Sequence, residues 1–124
     1  MPRGYTISAV AHALNVEPKW LDNLLTHNNI PRVDRSRQGI ARHIPPETVA
    51  IIHVTRQLVG ALGCSSAAAL LVAHSAIADG HADIGFGVRL TVDLVGINEL
   101  LGQRLFDAVQ AAPPKTRGRP PRRQ

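Results

Sequence analysis

The densest chemistry in this chain is a pair of basic clusters. Residues 113–124 (PPKTRGRPPRRQ) carry Lys115, Arg117, Arg119, Arg122 and Arg123 with no acid among them, and Arg32, Arg35, Arg37 and Arg42 stand close together against the single Asp34. A guanidinium is a planar, permanently charged fork whose N–H groups match phosphate oxygens. Both clusters therefore predict contact with a polyanion. The whole chain has a formal charge of +5, and the last twelve residues hold all of it. The rest is divided by sign. Residues 1–45 hold six bases (Arg3, Lys19, Arg32, Arg35, Arg37, Arg42) against three acids, a net +3, whereas residues 46–112 hold three bases against six acids, a net −3. The amino-terminal part suits a polyanion and the part that follows repels one.

Residues 113–124 are rich in Pro and Gly and lack side chains for a core, so a disordered, solvated basic tail is expected. Within it, Arg117-Gly118-Arg119-Pro120 resembles the core of an AT-hook, a motif that lies extended in the minor groove of A·T-rich DNA. Gly118 removes bulk where backbone approaches the groove floor, and Pro120 and Pro121 favour an extended course. The resemblance implies minor-groove contact by Arg117, Gly118 and Arg119, with Arg122 and Arg123 on nearby phosphates. The alternative is a solubilising tail with loose phosphate affinity.

The elements that would position the first cluster are legible from spacing. Thr6 or Ser8 can cap a helix running to about Leu14, with Ile7, Val10, Ala11 and Leu14 on one face. Asn15 then tolerates the left-handed conformation of a tight turn. Pro18 suits the first turn of a second helix whose apolar stripe is Trp20, Leu21, Leu24 and Leu25. Residues 30–33 and 39–44 flank the polar turn Asp34-Arg35-Ser36-Arg37-Gln38 and read as a small hairpin, and Pro45-Pro46-Glu47 opens another helix. The order helix, turn, helix, hairpin, helix is that of a winged helix-turn-helix.

Tyr5-Thr6-Ile7, Asn15-Val16, Ile30-Pro31 and Arg42-His43-Ile44 before Pro46-Glu47 make residues 5–62 resemble the MerR-type DNA-binding domain. The resemblance implies that the second helix enters the major groove and that the wing contacts the neighbouring backbone. Lys19, Asp22 and Asn23 then fall on the reading helix, and Arg35, Arg37 and Arg42, with Arg32 at the base, fall on the wing. MerR relatives often carry an arginine and tyrosines after the recognition-helix leucine; here Leu21 is followed by Asp22, Asn23 and Leu24. Asn23 could pair with adenine and Asp22 could accept from a cytosine amino group.

Beyond it, residues 47–62 read as an amphipathic helix covering the helix-turn-helix, and Ser65 or Ser66 caps another that Asp79-Gly80 stops. Residues 87–95 (GVRLTVDLV) alternate with the period of a half-buried strand, and Gly96 or Asn98 begins a last helix. A lone strand needs a partner: either residues 83–86 folded back, or the same strand of a second chain. Because site-specific binders read paired half-sites, a homodimer is expected. The expected fold is mainly α with small β (α+β): a winged helix-turn-helix domain at 1–62, a helix-strand-helix region at 63–112 for dimerisation, and the tail at 113–124.

Other chemistries find little support. The six histidines lack helical metal-pair spacing; Cys64 has no second thiol for a disulfide or a thiolate metal site; and no glycine-framed nucleophile or phosphate loop occurs. Neither a catalytic role, a cofactor nor a small-molecule ligand is expected. The start MPRGYTIS lacks a signal peptide's apolar stretch and residues 67–78 are too short and interrupted to span a bilayer, so a cytoplasmic, nucleoid-associated protein is expected. The expected function is double-stranded DNA binding by a transcriptional regulator. The alternatives are a protein-interaction adaptor or antitoxin with secondary DNA contact, and an architectural protein coating A·T-rich DNA.

Overall fold

The computed structural model describes residues 4–28 and 43–111. The expected wing, up to Arg42, and the tail lie outside the described residues. The described part has five helices and one two-stranded sheet, mainly α with small β.

Helix α1 (Ile7–Leu14) starts where the Thr6 side chain accepts a hydrogen bond from the Ala9 N–H, 3.1 Å, and ends at Asn15, whose φ of 57° is left-handed. The turn is closed by the Val16 N–H donating to the Ala11 carbonyl, 3.0 Å. Helix α2 (Pro18–His27) follows with Pro18 in its first turn, and Asn28 Nδ2 donates back to the Leu24 carbonyl, 3.0 Å. An antiparallel bridge then ties Tyr5 to Ile44, each N–H donating to the other's carbonyl at 2.9 Å. Gly4 permits this approach: a Cβ there would lie 3.0 Å from the Ile44 carbonyl oxygen, and its φ of +156° is one that L side chains rarely adopt.

Helix α3 (Pro46–Leu62) is the central element and is apolar on two sides. Val49, Ala50 and Ile52 join Val10, Leu14, Leu21, Leu24, Leu25 and Ile44 in one core cluster. Ile51, Val54 and Leu58 face a second, shared with Ala69 and Ala73 of α4 (Ser66–Asp79). Small alanines on α4 let it lie close against α3, as in helix pairs generally. Two threonines are buried in α3; the Thr55 hydroxyl donates to the Ile51 carbonyl at 2.8 Å, which satisfies it without a distant partner.

Helix α4 is capped by the Ser65 hydroxyl, which accepts from the Ala68 N–H, and ends on Gly80 at φ 86°. Strand β1 (His81–Gly85) then pairs antiparallel with β2 (Val88–Thr91), with a bulge between Asp83 and Gly85. The region is therefore helix, hairpin, helix, where helix-strand-helix is expected from the sequence, and the alternating segment pairs with its own chain. The strand is also shorter than residues 87–95, and helix α5 (Leu94–Ala111) begins before Gly96. Asp93 is the reason. Its Oδ1 accepts from the Gly96 N–H at 3.1 Å and its carbonyl from the Ile97 N–H at 2.9 Å, so the residue that completes the alternating pattern serves as a helix cap instead.

Helix α5 returns to the start of the chain. Leu101, Leu105 and Ala108 are buried in the same cluster as Val10 and Leu14 of α1. Arg104 Nη1 donates to the Ala13 carbonyl at 3.3 Å, placing a cation at the negative end of α1. The last helix thus completes the core beneath the first two.

Candidate nucleic-acid interface

Helix α2 separates its residues by face. Leu21, Leu24 and Leu25 are buried against α1 and α3, with Trp20 packed at the edge. Lys19, Asp22, Asn23 and Thr26 are exposed. Their offsets of three, four and seven residues from Lys19 align them in one stripe on the outer side. A ridge of four polar side chains on a helix anchored by three buried leucines is a surface that can enter a groove without disturbing the core.

Trp20 also carries a contact across elements: the Arg56 guanidinium of α3 lies 5.1 Å from its ring centroid, a cation–π pair linking α2 to α3. Arg56 is a cation beside α2 that spacing alone does not single out, because it sits within an amphipathic pattern of α3 and meets Trp20 only through the fold. Two imidazole side chains flank the stripe in sequence, with His27 exposed at the end of α2 and His43 exposed before the Ile44 bridge.

The described part of this surface is close to neutral, since Lys19 and Arg56 are offset by Glu17 and Asp22. Asp22 and Thr26 each engage in an interaction within the chain. Of the expected contact residues, Lys19 and Asn23 share the exposed stripe of α2. Arg32, Arg35, Arg37, Arg42, Arg117, Gly118, Arg119, Arg122 and Arg123 lie outside the described residues. The strong positive charge expected at the interface therefore lies in the sequence between residues 28 and 43 and after residue 111.

No family model, curated protein or solved structure matches this chain. The MerR-type resemblance is carried by the residues quoted for it alone.

Among the described residues, no group of three or more His, Cys, Asp or Glu side chains is arranged to hold a metal ion. No helix is long and apolar enough to cross a membrane. On α3, burial of the half-buried His53 first, and the Arg104 charge second, lower its pKa from the ordinary 6.5. Cys64 is half-buried at the turn between α3 and α4 and packs against the second core cluster, a structural setting.

Proposed function

We propose that this protein binds double-stranded DNA as a transcriptional regulator, with α2 presented to the major groove and the basic segment 113–124 on an adjacent minor groove or its phosphates. The observation that carries the proposal is the outward stripe of α2, with Lys19 and Asn23 exposed over a tight αL turn and a buried leucine face. Lys19 supplies a phosphate contact and Asn23 the bidentate geometry that adenine offers in the major groove. The arginines at 32, 35, 37 and 42 and the tail supply the charge that this neutral stripe lacks.

Footprinting on random genomic fragments tests the function. One or a few protected sites are expected; uniform protection of A·T-rich fragments would make the protein architectural, and no protection would refute DNA binding. Salt titrations then apportion the charge. Each phosphate neutralised contributes about 0.9 to the slope of log affinity against log salt, so removing residues 113–124, with five cations, lowers it by up to roughly 4. An unchanged slope refutes the tail's part. A specific observation favours a second reading, a protein-interaction adaptor: among the described residues, the large exposed apolar side chains all fall between Leu62 and Val109. Replacing Arg35, Arg37 and Arg42 with Ala separates the two, since unchanged DNA affinity would make DNA contact secondary.

A further inference from the structure

Three bases lie between residues 46 and 112: Arg56, Arg89 and Arg104. Arg89 pairs with Asp83 at 2.9 Å, and Arg104 donates to the Ala13 carbonyl at 3.3 Å. Arg56 meets no such oxygen among the described residues; its guanidinium lies instead 5.1 Å from the Trp20 ring centroid. A ring face attracts the cation's charge but offers no oxygen lone pair, so the five N–H donors of the fork keep their capacity for an anion. Arg56 stands at a border of α3, between buried Thr55 and exposed Gln57, and is itself partly exposed. Gly60, one turn further on, has nothing within 4 Å of where a Cβ would stand, which leaves that side of Arg56 open.

The place of Trp20 on α2 decides what the cation borders. At about 100° per residue, Trp20 lies roughly 60° from Asn23 and about 20° from His27, on the opposite edge of the polar stripe from Asp22. The stripe is therefore asymmetric, with a carboxylate along one edge and the Arg56 guanidinium along the other. An aliphatic residue at position 56 would cover Trp20 without drawing a cation out of water, so packing alone does not account for the charge.

We infer that Arg56 is a phosphate-binding residue of the α2 surface, a guanidinium that takes one phosphodiester of the DNA backbone, and that Trp20 is its positioning residue. The inference rests on the proposed DNA binding by α2 and adds which edge of that helix lies against the sugar–phosphate backbone. Phosphate contacts fix register and base contacts specify. With Arg56 on a phosphate, Asn23 is the stripe residue next to that anchor, and Asp22 is turned away from it. Trp20 lowers the cost of the contact, because a long, mobile side chain already held over a ring loses less freedom on binding.

The test is a salt titration of the full chain on a mixed-sequence duplex of about two helical turns, roughly 20 base pairs. Arg56→Gln should weaken binding about tenfold and lower the slope of log affinity against log salt by about 0.9, one phosphate's share. Arg56→Lys, which keeps the charge, should bind more weakly than wild type yet retain the slope. Trp20, the single tryptophan, supplies a second readout: saturation with the duplex should protect it from the neutral quencher acrylamide. An unchanged slope in Arg56→Gln, an equal loss of slope in both variants, or Trp20 quenching untouched by DNA overturns the inference; the second of these would mean that the stack only braces α2 against α3. In each of those cases the wild type still binds DNA and the proposed function stands. A wild type that leaves the duplex unbound refutes both together.

Discussion

Leu101→Ala is the sharpest test of how α2 is held. Leu101 on α5 is 4% exposed and lies in the cluster with Val10 and Leu14 of α1 and Leu21 of α2. Removing its three terminal carbons loses transfer energy and opens a cavity, together about 3 kcal/mol for a site so closely enclosed. A domain of this size has only about 5–15 kcal/mol in total, and each kilocalorie moves the midpoint of a 100-residue protein by roughly 4–8 °C, so Tm should fall by about 12–24 °C. The chain supplies its own reporter: Trp20, the single tryptophan, sits on α2 against the Arg56 guanidinium. Melting followed by far-UV circular dichroism and by Trp20 fluorescence should shift together, because α5 and α2 share one core. If the helical signal melts early while the Trp20 transition keeps its wild-type midpoint, α5 is not part of the scaffold under α2, and the packing argument fails.

Two further outcomes follow from local geometry. Gly4→Ala places a methyl group against the Ile44 backbone at a φ unfavourable to alanine, and should cost about 1–2 kcal/mol in a urea melt; an unchanged midpoint would show that the Tyr5–Ile44 bridge is not held as described. His53 titrates with a definite sign. Its folded pKa lies below the ordinary 6.5, so below that pH the unfolded chain takes up the proton first. The stability it contributes is complete above about pH 6.5 and declines as pH falls toward the folded pKa. His53→Gln should flatten that part of a urea-midpoint profile, and a slope as steep as wild type would assign it to other groups.

The helix starts and turns were legible because each is set by one or two adjacent residues. Thr6 caps α1, Asn15 takes the left-handed turn, Pro18 opens α2, and Ser65 and Gly80 bracket α4, all from side-chain or backbone preferences that act within four residues. The α5 boundary was not, because residues 88–95 satisfy two periods at once. Val88, Leu90, Val92 and Leu94 alternate as a strand, while Leu94, Ile97, Leu101, Leu105 and Ala108 recur as a helix, and only the Asp93 carboxylate bonded to the Gly96 N–H decides between them. At the candidate site, Lys19 and Asn23 came from the MerR-type resemblance, and α2 presents both to solvent. Arg56 was not legible, since its meeting with Trp20 depends on how α3 crosses α2. The exposed hairpin tip was equally hidden: Ile84, Phe86 and Val88 have the composition of core residues, yet the fold leaves all three exposed.

The hydrogen bond from Arg104 to the Ala13 carbonyl joins residues 91 positions apart in the chain. Its consequence is one of timing. A ribosome adding roughly 5–20 residues per second releases α1 and α2 seconds before the helix that must pack beneath them. Until Leu101, Leu105 and Ala108 emerge, Val10 and Leu14 lack part of their cover, and closing so long a loop is an entropic cost that local contacts cannot offset. A nascent chain therefore has the residues of α2 before it has the support for them, and α2 gains its full packing only once α5 has been made.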